Sequence, residues 1–155
     1  MTLITDFPAT VQTNNVPGIV NFEFVPIGHI SSFPDLVVNN TITTAVSFFA
    51  GKTWLKGRAI ANTLLYSEKT KGPNTPYFAT LKGQIAKSTA STNQLFTALK
   101  TGLYIIKLTN KNGDTRLLGT LEFPFQFQFE FDTDKAIYSY EFTTVLPIPA
   151  PFYTG

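Results

Sequence analysis

The sequence predicts a mainly β domain: an antiparallel β-sandwich or barrel with one short α-helix over about residues 92–101. Three observations carry this. Phe123, Phe125, Phe127, Phe129 and Phe131 fill every odd position of one segment, and Glu122, Pro124, Gln126, Gln128 and Glu130 fill the even ones. Successive side chains of a strand point to opposite faces, so this is a strand with one dry face. Asn112-Gly113 sits between two apolar runs and marks a hairpin turn. Ser91 to Gly102 is punctuated as a helix.

The elements follow in chain order. Residues 1–17 read as an extended arm, with Pro8, Pro17, Asn14-Asn15 and little periodicity. Ile19 to Val25 alternates and is the first strand; Pro26 and Gly28 end it. Ser31 to Asp35 reads as a turn around Pro34. Thr41 to Phe49 is β-branched and aromatic, hence a second strand closed by Gly51. Trp54 to Tyr66 is read as a third, with Gly57 at a bulge or bend; Ala59 to Leu65 fits a short helix as well. Tyr77 to Ala86 alternates and makes its hairpin partner, and Ser67 to Pro76 is the exposed loop between them.

Ser91 is the expected helix N-cap, with Gln94 completing a capping box. Leu95, Phe96 and Leu99 then share one face. Lys100 suits the negative end of the dipole, and Gly102 is the expected left-handed terminator. So short a helix is stable only when packed on the sheet. Strands follow at Leu103–Thr109, Thr115–Leu121, Phe123–Phe131 and through Tyr138, Tyr140 and Phe142. Pro124 belongs at a strand start or an edge, because it donates no hydrogen bond. Pro147, Pro149 and Pro151 then stop the sheet, leaving residues 146–155 as an extended tail. The whole of 1–155 reads as a single domain.

Composition excludes several chemistries. There is no cysteine and one histidine, so disulfides, thiolate metal sites and zinc sites built on several histidines of one chain fall away. His29 has no Gly-x-Ser-x-Gly elbow or other nucleophile motif to serve, and reads as structural or surface. Glu122 and Glu130 are about 26 Å apart if they lie on one strand, too far for a glycosidase pair. Asp132 and Asp134 lack the other ligand positions of a calcium loop, and Asp in a turn more often bonds its own backbone. No phosphate-binding glycine motif is present. The expectation is a non-enzyme with no catalytic residue, cofactor or metal. No signal peptide and no apolar run of membrane-spanning length is seen, so no membrane contact is expected.

Only 14% of residues are charged, while aromatics also reach 14%, with 15 Phe. Aromatic surface in that amount either lines a wide core or is covered by neighbouring subunits. The net charge of +2 is unevenly spread. Residues 50–111 hold ten Lys/Arg against Glu68 alone, residues 112–155 are net −4 and residues 1–49 are net −3. Such a split can orient subunits in an assembly, or it reflects two stretches that neighbour each other inside one fold.

The last third of the chain resembles small proteins encoded among the virion genes of Bacteroidetes phages and prophages. The resemblance rests on K-L-T-N-K-N-G-D-T-R-L-L-G-T-L-E-F-P-F-Q-F-Q-F-E-F-D-T from Lys107 and Y-S-Y-E-F-T-T-V-L-P-I-P-A-P-F-Y from Tyr138. Its marks are the Asn112-Gly113 turn, Leu117-Leu118-Gly119-Thr120, Pro124 to Phe127, and Tyr138 to Phe142 followed by Pro151-Phe152-Tyr153. Residues 1–90 carry no such likeness. The resemblance implies a tail-tube-like topology and a structural subunit of the tail or head–tail connector, assembled into rings in the host cytoplasm and carried in the virion. Its partners would be copies of itself and other virion proteins, with nucleic acid only as a genome passing a channel and no small-molecule substrate.

The residues expected at subunit contacts are Lys69, Lys71 and Pro73 of the long loop, Phe7 of the arm, and Pro149, Phe152 and Tyr153 of the tail. Two other readings stand beside this one. A carbohydrate- or cell-surface-binding β module would expose Trp54, Tyr66 or Tyr77 on a flat face. A single-strand nucleic-acid-binding barrel would use the lysines interleaved with Phe48, Phe49, Trp54, Tyr66 and Tyr77.

Overall fold

The computed structural model describes residues 4–7, 19–35, 40–60, 63–86, 90–110, 113–134 and 136–155. Most of the expected arm, and Lys111-Asn112 of the expected turn, lie outside them. The strands are β1 Ile19–Pro26, β2 Ile30–Ser32, β3 Thr41–Ile42, β4 Ser47–Phe48, β5 Leu55–Lys56, β6 Leu65–Lys69 and β7 Tyr77–Ala86. The helix α1 is Ala90–Leu99, and β8 Leu103–Asn110, β9 Thr115–Leu118, β10 Phe125–Asp132, β11 Ile137–Leu146 and β12 Phe152–Tyr153 complete the chain.

The chain is mainly β with one helix, as its alternation predicts. Ten strands form one curled, almost wholly antiparallel sheet, and β2 and β4 pair separately. The curl turns on β8. One edge of β8 pairs with β1 throughout. Its other edge pairs with β10 at Leu103 and Tyr104, then with β9 from Ile106 to Thr109. The sheet therefore splits into two layers that share β8. One layer is β5-β1-β8-β9-β12-β3; the other is β6-β7-β11-β10.

The split comes from the turn between β9 and β10. Gly119 takes φ +89°, and a side chain there would meet the Phe125 ring at 3.0 Å. The turn closes through Thr120 N–H to Phe123 O at 3.3 Å and Phe123 N–H to Thr120 O at 3.1 Å. Phe123 consequently lies before the strand, and β10 starts just after Pro124, which the missing donor requires.

The main core lies between the layers, with α1 over its open side. Phe22 and Phe24 of β1, Tyr104 and Ile106 of β8, Phe125 and Phe127 of β10, and Tyr140 and Phe142 of β11 are all buried there. Leu95, Phe96 and Leu99 are the buried apolar residues of the helix, the face its spacing predicts. Phe96 meets Phe127, Phe129, Tyr138 and Tyr140 with ring centroids 5.2 to 5.8 Å apart, mostly edge to face. Such pairs each add about 0.5–1.5 kcal/mol beyond area burial. A second core lies on the far side of β8, where Val25, Ile42, Val46, Ile105, Leu117 and Tyr153 meet.

Several local expectations are corrected. The helix runs over 90–99 and encloses Ser91, so Ser91 is not its cap. Gly102 is not left-handed. It is needed because a side chain there would sit 2.6 Å from the Tyr104 hydroxyl, which donates to Leu99 O at 2.6 Å and closes the helix end. Residues 41–49 are two short strands, because β3 pairs with the tail and β4 with β2. The expected turn at 31–35 begins within β2. Between β5 and β6 the described residues form neither strand nor helix, since the chain crosses there from one layer to the other. Gly57 lies against the Phe22 ring and its N–H donates to Phe22 O at 3.0 Å. Arg58 O accepts the Tyr140 hydroxyl at 2.7 Å.

Residues 4–7 and the C-terminal tail both fold onto the body. Phe7 is buried against Phe22, Phe24, Phe96 and Tyr140, while Asp6 Oδ1 accepts Lys56 N–H at 2.7 Å. In the tail, Phe152 pairs with Thr41 and Arg116, and the Tyr153 hydroxyl accepts Val46 N–H at 3.0 Å.

Candidate interaction surface

Seven residues were expected at subunit contacts, and the structure divides them. Phe7, 1% exposed, and Tyr153, 6% exposed, are filled from within the chain and offer nothing to a neighbour. Their apolar bulk satisfies the two cores first. Pro149 is half-buried, and its carbonyl accepts Asn40 Nδ2 at 3.4 Å. Phe152 is partly exposed with the Arg116 guanidinium 4.4 Å from its ring centroid. Lys69, Lys71 and Pro73 are exposed. The loop that carries Lys71 and Pro73 is shorter than expected, because β6 runs to Lys69.

The tail is held by a clamp the sequence did not announce. Glu68 Oε1 accepts both the Tyr66 hydroxyl at 2.6 Å and Ala150 N–H at 2.9 Å. Arg116 Nη1 donates to Ala150 O at 3.2 Å. Burial, and then the bond to Glu68, push the Tyr66 hydroxyl pKa well above the usual tyrosine range.

Aromatics proposed as a binding platform do not share a face. Trp54 packs on Phe48 at 5.5 Å beside the second core, with Lys107 Nζ 5.0 Å from its ring. Tyr66 and Tyr77 pack against the main core. Lys107 pairs with Glu23 at 3.0 Å on the same face as Trp54. His29 lies in the 3-10 turn after β1, where burial and the nearby Lys52 lower its pKa. Asp132 Oδ1 accepts Asp134 N–H at 2.9 Å, the local turn bond its position implies. Among the described residues no group of three acidic, His or Cys side chains converges as a metal site. No helix there is long and apolar enough to cross a membrane.

What the described residues leave uncovered is the outer face of β6-β7-β11-β10. Register aligns its side chains in rows across the strands. Leu65, Lys82, Glu141 and Gln128 form one row; Ser67, Thr80, Thr143 and Gln126 form the next; Lys69, Phe78 and Val145 form a third. Lys82 stands opposite Glu141, so the basic and acidic stretches of the sequence are neighbours within one sheet. Two shallow depressions of about 720 and 610 Å³ lie on this face. At one end Leu103, Phe123 and Val145 are 37–41% exposed and line the second depression together. Sequence reasoning missed this cluster. Its one signal was Val145, an apolar residue at an outward position of a strand whose inward set is Tyr138, Tyr140 and Phe142.

Among the described residues both edges of this layer are open. No described strand pairs with the far side of β6, or with β10 beyond Gln126 on the side away from β11. Phe127–Asp132 is therefore an unpaired edge of high β propensity without proline or glycine. No known protein family, curated protein or solved structure matches this chain.

Proposed function

We propose that this chain is a non-enzymatic structural subunit of a phage virion that assembles with its own copies into rings of the tail or of the head–tail connector. The observation that carries the reading is the pair of open edges on the four-stranded layer. Unprotected edges are templates for another strand, and folded monomers usually blunt them. Strand directions alternate from β6 to β10, so β6 of one copy meets β10 of the next antiparallel. That contact is head-to-tail, and repetition closes a ring when the rotation per copy allows. Low charge, aromatic excess and the resemblance of residues 107–153 to virion proteins support the same reading. Its assembly in the host cytoplasm and its place in the particle belong to this proposal.

Negative-stain electron microscopy of the purified chain at high concentration, with mass measured in solution, tests it. Rings of uniform diameter are expected. Featureless monomers at every concentration would overturn it.

A further inference from the structure

We infer that the apolar depression at the Phe123 end of the four-stranded layer is a two-fold contact with a second copy of this chain, distinct from the strand edges invoked for a ring. The apolar part of the depression, about 610 Å³, is formed by Phe78, Leu103, Phe123, Pro124 and Val145, with Glu122 beside it and Thr80, Thr143 and Gln126 on its inner flank. Three of the nine exposed large hydrophobic residues among the described residues, Leu103, Phe123 and Val145, line it together. Clustered apolar exposure marks an interaction site where single exposed residues would not. The projecting part is rigid: two backbone hydrogen bonds close the Thr120–Phe123 turn, and Thr120 Oγ1 accepts Phe123 N–H at 3.1 Å as well. Little ordering is then required on association.

The rim selects the occupant. On the β6 side, Lys71 Nζ sits 4.5 Å from the Phe78 ring centroid. On the β10 side stands Glu122, exposed. The two are about three strand spacings apart, roughly 14 Å. Among the described residues neither has an ion-pair partner. An apolar centre with a cation on one flank and an anion on the other is self-complementary. A two-fold axis through the space between Phe78 and Val145 sets Lys71 beside the partner's Glu122, and Glu122 beside the partner's Lys71. The apolar residues meet between them. This is the arrangement of an isologous interface, with a dry centre and a charged rim. A patch four strands wide and about six residues long, roughly 19 by 20 Å, covers about 400 Å² on each copy, about 800 Å² in all, the low end for a weak and reversible pair.

Sedimentation velocity of the full chain from about 1 to about 300 μM tests this, because a pair of that size dissociates in the micromolar range. Mass should rise from one chain toward two. Phe123→Ser or Val145→Ser should weaken the pair about tenfold or more. Glu122→Lys and Lys71→Glu should each weaken it about fivefold, and the double variant should return it to within about twofold of the parent. Circular dichroism melts confirm that each variant stays folded. A parent that is monomeric throughout, apolar variants that pair as before, or a double variant no better than either single one would overturn the contact. A pair that forms as described and never grows larger would sink the ring reading alone. Rings that ignore all these variants, with no separate pair, would sink the two-fold contact alone.

Discussion

Phe7→Ala is the sharpest test of how the chain is put together. Phe7 is 1% exposed and touches four rings, Phe22, Phe24, Phe96 and Tyr140, with centroids 5.2 to 5.7 Å away. Those rings belong to β1, the helix and β11, so the cavity left by alanine opens where both layers and α1 meet. None of the four can follow the missing ring without leaving its own packing. The cost should fall at the usual value for a buried phenylalanine, about 3–5 kcal/mol, out of a total stability of about 5–15 kcal/mol. With a urea slope of about 2 kcal/mol/M, the midpoint drops by roughly 2 M, and the melting temperature falls by roughly 10 °C. Phe131→Ala is the control, because Phe131 is 40% exposed and should cost well under half as much. The assay is urea unfolding followed by circular dichroism. Equal midpoints for the two variants, or a Phe7→Ala cost under about 1 kcal/mol, would refute the seating of residues 4–7 in the core.

Three further outcomes follow from the same packing. Gly57→Ala places a Cβ into the Phe22 ring, which is itself buried, so unfolding measurements should show a loss of about 1–3 kcal/mol or more. Tyr104→Phe removes the hydroxyl that closes the helix at Leu99 O and should cost about 1–2 kcal/mol, with faster amide exchange in the last helical turn. Burial raises the pKa of Tyr66, Tyr104 and Tyr140, with the Glu68 bond adding to it at Tyr66. Three of the six tyrosines should therefore resist ionisation near pH 10 in an ultraviolet titration of the folded chain. Because their folded pKa values lie above the unfolded one, their contribution is complete below pH 10 and declines as pH rises past it. Alkaline pH should destabilise the protein, and Tyr140→Phe should reduce that dependence.

Local chemistry made much of the fold legible. Tyr77–Ala86 and the strand through Tyr138 read directly from period two. Asn110 and Gly113 form the turn their residue types demand: Gly113 has φ +87°, and Asn110 Oδ1 accepts Asp114 N–H at 3.2 Å. The Leu95/Phe96/Leu99 face was readable from helical spacing. Less legible were Thr41–Phe49 and Trp54–Tyr66. Both are rich in β-formers, yet each changes partner partway along, and propensity carries no record of which strand lies alongside. The candidate surface was legible only in part. Lys71 and Pro73 are exposed as their loop composition implies, and Lys69 is exposed at the end of β6, but Leu103 and Phe123 join Val145 only through the pairing of β8 with β10 and of β10 with β11.

The Phe-rich segment from residue 123 shows where the two sources divide. Alternation by itself determined that Phe125, Phe127, Phe129 and Phe131 share one side, because a strand has no other periodicity; Phe123, expected with them, precedes the strand and lines the outer depression instead. The missing donor of Pro124 limited it to a strand start or an edge, and the structure starts β10 just after it. How far each ring is buried was decided by the tertiary structure alone. Phe125 and Phe127 are inside, Phe129 is half-covered by α1, and Phe123 and Phe131 reach solvent at either end. The reason is geometric: the opposing layer and the helix cover only the middle of the strand, and the Gly119 turn carries Phe123 out of the sheet before the strand begins.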